Sequence, residues 1–231
     1  VRASTMERFA SACVVSVKRL TDRTVEVAFD RDIPKELELN HDCVENISCT
    51  PEVEIRNCYF TRTSTRGTLM TTPRKVIIAN NTYYKTGMSA ILIEGDAEGW
   101  YESGPVKDVL IQNNIFIDCA YNGGPEYAVI ALNPSNTIID ATHPVHRNVR
   151  IIGNTFQTFG NPVLYAKSTE GLVFKDNKVT STPLPGGALQ KPVFILNGSK
   201  NVTIKDNILK GTFRENIVFR NMKKGFIKTD L

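Results

Sequence analysis

Apolar and polar residues alternate in a short pattern that returns along most of the chain. Six octets share it: VEIRNCYF (53–60), VIIANNTY (76–83), VLIQNNIF (109–116), VRIIGNTF (149–156), LVFKDNKV (172–179) and VTIKDNIL (202–209). Each is read as apolar-x-apolar-x-x-Asn-x-apolar, and IVFRNM at 217–222 is a weaker seventh copy. A period of two with many β-branched residues predicts strands rather than helices.

A second apolar run follows most octets, so each unit holds two or three short strands. The runs are GTLMT (67–71), SAILIEG (89–95), AVIALN (128–133), PVLYAK (162–167) and VFILNG (193–198). Such a unit cannot bury its own inner face and stacks on its neighbours at about 4.8 Å per strand. The pattern predicts an all-β fold, a right-handed parallel β-helix of the pectate-lyase-like type. Chance similarity among sandwich strands would not require asparagine at one fixed offset.

One asparagine in each octet is expected to take the turn conformation and to bond to its counterpart one coil away. These asparagines are identified as Asn57, Asn81, Asn114, Asn154, Asn177 and Asn207. The sequence therefore predicts an asparagine ladder along the solenoid.

The first 45 residues follow a different pattern. ACVVSVKRL (12–20) and TVEVAFDRDIP (24–34) alternate and are joined by TDR, which predicts an antiparallel hairpin. We predict that residues 1–45 end a β-barrel-like domain and that residues 46–231 form the coils. The opening VRASTMERFAS has no signal region and favours a segment of a longer protein.

Charge and cysteine usage narrow the classes of partner. A net charge of +4, without a basic block, does not favour nucleic acid. The chain has no run of 18 apolar residues, so membrane insertion is not expected. The five cysteines form no CxxC pair. We expect buried free thiols, with a bridge between Cys43 and Cys49 as the alternative.

Three enlarged loops fall on coils two and three, at residues 94–108, 117–127 and 133–148. Loops on a rigid solenoid are frequent carriers of function. Their clustering predicts a cleft over the middle of the solenoid, and His143 and His146 are expected at its rim.

The loop EGDAEGWYESG (94–104) surrounds the only tryptophan, Trp100, with carboxylates. Acids beside an aromatic ring are typical of carbohydrate sites. Asp118 follows Asp96 by one coil, and an inverting glycosidase needs two carboxyls about 6.5–9.5 Å apart. We predict catalysis by Asp96 and Asp118, with Glu102 in reserve. Predicted substrate-binding residues are Arg62, Arg66, Glu94, Trp100 and Glu126. Calcium is an alternative for the DAE stretch, but its spacing matches no calcium loop, so no metal is predicted.

The stretch RTSTRGTLMTTPRKVIIANNTYYKTGMSAILIEGDAEGWYESGPVKDVLIQNNIFIDC (62–119) closely resembles the coils of bacterial exo-acting α-1,3-galactosidases, glycoside hydrolase family 110. The similarity runs from about Arg62 to Lys167. Its most specific part is SAILIEGDAEGWYESGPV, since many β-helices share the asparagine octets.

The resemblance implies a parallel β-helix with an inserted β-barrel and the removal of terminal α-1,3-linked galactose with inversion. It implies carboxylate chemistry without metal or cofactor, carried best by Asp96 and Asp118 with Glu94, Trp100 and Glu102 nearby. It further implies a carbohydrate substrate and an extracytoplasmic location, periplasmic or secreted. The alternatives are a polysaccharide lyase or pectinase-like enzyme, and a non-catalytic glycan-binding solenoid, because β-helices support all of these.

Overall fold

The computed structural model describes residues 1–102, 104–122, 128–182 and 191–231. It contains short strands and a 3₁₀ helix, Lys224–Phe226. The strands are β1 (Val14–Arg19), β2 (Val25–Phe29), β3 (Val53–Arg56), β4 (Tyr59–Thr61), β5 (Thr68–Met70), β6 (Lys75–Ala79), β7 (Thr82–Tyr84), β8 (Ile91–Ile93), β9 (Asp108–Gln112), β10 (Ile115–Ile117), β11 (Ile130–Leu132), β12 (His146–Ile152), β13 (Thr155–Thr158), β14 (Leu164–Lys167), β15 (Thr169–Lys175), β16 (Lys178–Ser181), β17 (Phe194–Asn197), β18 (Val202–Lys205), β19 (Ile208–Gly211), β20 (Ile217–Arg220) and β21 (Ile227–Thr229).

Three parallel sheets form the walls of the solenoid. Sheet 1 contains β3, β6, β9, β12, β15, β18 and β21; sheet 2 contains β4, β7, β10, β13, β16 and β19; sheet 3 contains β5, β8, β11, β14, β17 and β20. One strand from each sheet makes a coil, so six coils follow one another and β21 begins a seventh. The predicted all-β parallel β-helix, with a short antiparallel segment at its N-terminal side, is confirmed.

Each octet folds as two strands joined by a two-residue turn. One asparagine was expected both to take the turn conformation and to bond along the ladder, but each of the two turn residues has one of these roles. The first turn residue has a left-handed φ, as at Asn57 (55°), Asn80 (58°) and Asn113 (54°). Asparagine tolerates this region better than most residues. The second turn residue points inward. Asn57 was therefore wrongly assigned to the ladder: Cys58 occupies that position in coil one, and its N–H donates to the side-chain oxygen of Asn81 at 2.9 Å.

The ladder itself contains five asparagines, and the first four are at most 1% exposed. In each link, the oxygen of one side chain accepts both the backbone N–H and the side-chain N–H of the asparagine one coil earlier. The remaining side-chain N–H donates to a backbone carbonyl of the coil before, so these buried amides are paired. The side-chain bonds join Asn81 to Asn114, Asn114 to Asn154 and Asn154 to Asn177 at 3.0 Å, and Asn177 to Asn207 at 3.1 Å.

The predicted seventh octet at 217–222 was wrong. Its strand, β20, pairs with β17 in sheet 3 and is the third strand of coil six. The seventh coil begins at β21, where Ile227 aligns with Val202 of β18. A short apolar run followed by asparagine is compatible with either position, because the pattern does not encode which sheet a strand joins.

Inward side chains from all three sheets form one continuous core. Aromatic rings of sheet 2 stack along it: the centroid distances are 4.7 Å for Phe60–Tyr83, 5.2 Å for Tyr83–Phe116 and 4.8 Å for Phe116–Phe156. Stacked rings in register contribute packing beyond their buried area. The core thus holds the corners of successive coils in fixed register.

The N-terminal part contacts the solenoid through residues outside its β1–β2 hairpin. Strands β1 and β2 pair in antiparallel fashion and are largely exposed, whereas Ala3 and Met6 are buried against Ala97 and Val145. A boundary between residues 45 and 46 stays a prediction. The part of the chain that the structure describes contains no helix of the length and apolarity needed to cross a membrane.

The five cysteines are free thiols, as expected. Their predicted burial holds for Cys119 but is wrong for Cys13, Cys49 and Cys58, which are exposed. Cys58 lies in the turn between β3 and β4, the edge strands of sheets 1 and 2, where no further described strand pairs on the outer side.

Candidate active site

Two of the enlarged loops lie at the same corner, where sheet 3 leads into sheet 1. The acid loop, residues 94–107, connects β8 to β9 in coil two, and residues 133–145 connect β11 to β12 in coil three. Coil four crosses this corner with Ser168 alone, between β14 and β15. The two insertions therefore stand out from an otherwise trim edge of the solenoid.

The Asp96 carboxylate organises the acid loop from within. One oxygen accepts the N–H groups of Glu98 at 2.8 Å and Gly99 at 3.0 Å, and the other accepts the N–H of Trp100 at 2.8 Å. Burial alone would raise the pKa of Asp96, but these backbone donors outweigh it and hold the pKa below its ordinary value. With 8% of the residue exposed, these contacts favour a role in shaping the loop.

Glu94 has the opposite electrostatic setting. Burial raises the pKa of its carboxyl, and the nearby Glu102 carboxylate raises it further. The Arg66 guanidinium and the Lys167 ammonium act against this rise but do not cancel it. A half-buried carboxyl that keeps its proton more readily than usual, beside a second acid, suits proton donation.

Arg66 and Lys167 bring positive charge to this group of acids. Lys167 donates to the carbonyl of Pro134 at 2.8 Å, which fixes its side chain over the corner. The Nε of Arg66 is buried without a hydrogen-bond partner. A buried guanidinium N–H without an acceptor has unused capacity for a hydroxyl or carboxylate oxygen of a ligand.

The tip of the acid loop presents aromatic rings to solvent. Trp100 is 83% exposed and Tyr101 is 70% exposed. The backbone N–H of Asp96 donates to the carbonyl of Glu102 at 3.3 Å and closes the base of this tip. Exposed aromatic rings on a pinned loop are well placed to pack against the C–H face of a sugar.

A cavity of about 470 Å³ lies beside the base of the acid loop. Asp96, Tyr101 and Glu102 line one side, and Leu69 and Met70 of coil one line another. Its size is in the range of small-molecule sites, which are about 300–1,000 Å³. Glu94, Arg66 and Asp118 are not among the lining residues.

Asp118 lies at a different corner, where sheet 2 leads into sheet 3. Its N–H donates to the carbonyl of Gln157 at 3.0 Å, and its φ is 50°. Lys85 and Arg62 hold the corresponding positions in coils two and one, with φ values of 54° and 53°. The topology thus groups Asp118 with two cations and does not bring it to the corner of Asp96. The predicted pairing of these two acids stays a prediction without support from this arrangement.

Of the predicted site residues, the structure brings Glu94, Asp96, Glu102 and Trp100 to one corner. Arg66 lies in the connection between β4 and β5, at the neighbouring corner of coil one, and its guanidinium acts on Glu94 from there. Arg62 lies with Asp118, and Glu126 lies outside the described residues. Lys167 was not predicted as a site residue. The alignment of the third strands of coils two, three and four could have indicated it, because Lys167, at the end of its strand, aligns with Asn133 and Glu94, which follow theirs. Among the described residues, no group of three or more His, Cys, Asp or Glu could hold a metal ion.

The two histidines expected at the rim differ. His143 is exposed and bonds to Asp140 at 2.9 Å, whereas His146 is fully buried at the start of β12. The Nδ1 of His146 accepts the N–H of Val106 in the acid loop at 3.2 Å. Burial, aided by Lys167, lowers the pKa of His146 to about 3, so the ring is neutral in the folded state.

This buried histidine predicts a loss of stability in acid. The unfolded ring has a pKa near 6.5, so between about pH 6.5 and 3 the unfolded chain binds the proton that the folded chain does not. Unfolding free energy is expected to fall by roughly 3–5 kcal/mol across this window on account of His146. Urea unfolding at pH 7 and pH 4 should show a smaller pH dependence in His146→Asn than in the wild type. Equal pH dependence in the two proteins would contradict the prediction.

Comparison with known proteins adds a second line of observation. A family model described as "Right handed beta helix region" matches residues 42–229. The chain is 67% identical over its whole length to alpha-1,3-galactosidase A of Bacteroides fragilis, of which it covers 38%. Over 80% of its length it is 42% identical to alpha-1,3-galactosidase B of Bacteroides thetaiotaomicron, covering 31% of that protein. Over 80% it is also 37% identical to alpha-1,3-galactosidase A of Streptomyces avermitilis, covering 29%. The chain thus spans less than half the length of these curated relatives.

Proposed function

Because the chain belongs to the right-handed β-helix family and matches named alpha-1,3-galactosidases along its length, we propose that it is the catalytic portion of a glycoside hydrolase. The whole protein would remove terminal α-1,3-linked galactose from glycans. The observation that carries this proposal is the half-buried Glu94, whose raised pKa and neighbouring Glu102 carboxylate make an acid and a base in one place.

The reaction proposed is hydrolysis with inversion. Glu94, in its protonated form, donates its proton to the glycosidic oxygen as the bond to the anomeric carbon breaks. Glu102, in its ionised form, takes a proton from the water that attacks the anomeric carbon on the opposite face. The products are β-galactose and the shortened glycan, and proton exchange with solvent restores both carboxyls.

Other residues around the two acids support this chemistry. Asp96 holds the backbone between the two acids through its bonds to Glu98, Gly99 and Trp100. Trp100 offers a flat apolar face to the sugar, and Arg66 offers a donor to its hydroxyls. Catalysis by Asp118, which lies at the neighbouring corner, remains a proposal that substitution of Asp118 by asparagine can test.

Location and partners follow from the same proposal. We infer a carbohydrate substrate with terminal α-galactose, no resident metal or cofactor, and work outside the cytoplasm, in the periplasm or after secretion. The rest of a longer chain is expected to complete the protein, because the relatives are more than twice as long as this chain.

The proposal predicts that the full-length protein releases galactose as the β-anomer. Proton NMR of a reaction with an α-1,3-linked galactosyl disaccharide should show the β-anomer first, before mutarotation mixes the two forms. Early appearance of the α-anomer would overturn the inverting mechanism while keeping the hydrolase. An unsaturated product that absorbs in the ultraviolet and is lost with chelator would indicate a lyase. Sugar binding without any released monosaccharide would indicate a glycan-binding solenoid.

A further inference from the structure

A part of the chain that is distant in sequence also contacts the acid loop. We call this part the N-terminal clasp, residues 1–9 and 43–45. Ala3 and Met6 of the clasp pack on Ala97 of the loop, and the thiol of Cys43 donates to the carbonyl of Ala97 at 3.0 Å. These contacts join segments more than fifty residues apart.

Glu45 makes the most specific of these contacts. Its Oε1 accepts the backbone N–H of Gly104 at 3.0 Å, two residues after Glu102. Arg8 holds the same carboxylate with both forks of its guanidinium, Nε to Oε2 at 2.6 Å and Nη2 to Oε1 at 2.7 Å. The Glu45 side chain is 11% exposed. A bidentate, largely buried ion pair fixes geometry better than an exposed one.

Gly104 allows this approach. A Cβ added there would meet Glu45 Oε2 at 3.3 Å and Arg8 Nη2 at 3.7 Å, so a side chain would crowd the ion pair. Glu102 therefore lies between two anchored points of the backbone. On one side its own carbonyl bonds to Asp96, and on the other Gly104 bonds to Glu45.

We propose that Glu45 is a positioning residue for the Glu102 carboxylate, through which the N-terminal part of the protein sets the geometry of the acid loop. This inference rests on the proposed function, in which Glu102 is the base. Because the Glu102 carboxylate raises the pKa of Glu94, a displaced Glu102 would also let the pKa of Glu94 fall. The Arg8–Glu45 pair thus links the N-terminal segment to both acids.

The test compares Glu45→Ala, Glu45→Gln and Glu38→Gln in the full-length protein. Glu38 is the matched control, because it pairs with Arg2 at 2.7 Å in the same N-terminal part but is 61% exposed. Hydrogen exchange of amides in residues 96–106 should be at least about tenfold faster in Glu45→Ala and unchanged in Glu38→Gln. Glu45→Gln keeps an acceptor for the N–H of Gly104, so its exchange rates should lie between those of the wild type and Glu45→Ala. This graded response distinguishes loss of the contact from misfolding.

Kinetics then separate positioning from a purely structural role. In Glu45→Ala, kcat should fall about 10–100-fold with KM changed less than about twofold. The basic limb of the kcat–pH profile should move to lower pH, as the pKa of Glu94 falls. Unchanged exchange in the acid loop, or faster exchange with an unshifted pH profile and unaltered kcat, would overturn the proposal. A wild-type protein that releases no galactose would instead overturn the proposed function. The hydrogen-exchange comparison would still show whether the contact between Glu45 and Gly104 orders the acid loop.

Discussion

Changing Glu102 to glutamine in the full-length protein is expected to lower kcat on an α-1,3-linked galactoside by about 10²–10⁴-fold. Glutamine keeps the size and polarity of the side chain but cannot take a proton from water. Glu94→Gln is expected to give a loss of the same order, because glutamine cannot protonate the departing oxygen. Initial rates at saturating substrate measure both effects.

The leaving group distinguishes the two roles. In a galactoside whose leaving group is a strongly acidic phenol, the phenolate departs without protonation. Glu94→Gln should therefore regain most of its activity on such a substrate. Glu102→Gln should stay slow on the same substrate, since water attack still requires a base. In the wild type, kcat should fall as pH rises through the raised pKa of Glu94, because the proton donor is then lost.

Glu98→Gln provides the matched control for this pair. Glu98 lies in the same acid loop and is exposed. Within the part of the chain that the structure describes, it contacts the site through its backbone N–H, which glutamine retains. Full activity is expected in this variant. Wild-type rates in both Glu94→Gln and Glu102→Gln would contradict the assignment of these two residues and favour Asp96 or Asp118 as catalytic residues. The kcat values of Asp96→Asn and Asp118→Asn would then distinguish between these two.

Replacing Asn114 by alanine is expected to destabilise the β-helix by about 2–5 kcal/mol. The change removes the acceptor of two buried donors, the backbone and side-chain N–H groups of Asn81. It also removes the donor that Asn114 gives to the carbonyl of Ile78 at 2.8 Å. Buried donors left without acceptors are costly, because no water replaces the lost bond. Urea unfolding followed by circular dichroism measures the shift of the β-helix transition.

The neighbouring residue offers a control of the same type. Asn113 is exposed and has a left-handed φ of 54°, and Gly153 holds the same position in coil four. Asn113→Gly should therefore change stability by less than about 1 kcal/mol. Similar destabilisation by the two substitutions would show that the turn, rather than the ladder, governs stability at this coil.

The coil architecture could be predicted from sequence because its signals are local. Alternation identifies strands within four to eight residues, and each inward residue repeats in every coil. The roles within the turn were harder to assign. Coil one carries Asn57 at the left-handed position and Cys58 at the ladder position, so an asparagine was present but one residue early. The octet pattern itself places Cys58, not Asn57, at the sixth position that the other five octets fill with the ladder asparagine.

The site could be predicted only in part, because a site depends on which corner each loop occupies. Trp100, Glu94 and Glu102 lie close together in the sequence within one loop, so their proximity could be predicted from sequence distance alone. Asp118 follows Asp96 by one coil in sequence but comes after a sheet 2 strand, whereas Asp96 comes after a sheet 3 strand. The contact between Glu45 and Gly104 spans 59 residues, and no pattern in either segment indicates it.

The asparagine ladder gives the solenoid a direction. In each link of the ladder, a side-chain N–H donates to the side-chain oxygen of the asparagine one coil later, so the side-chain bonds of Asn81, Asn114, Asn154 and Asn177 all run in the same direction. A coil placed elsewhere in the row therefore has to supply an acceptor to its predecessor as well as a donor to its successor. Coils two to five meet both conditions and should be exchangeable modules in a recombined solenoid, whereas coil one, with Cys58, can only start such a row.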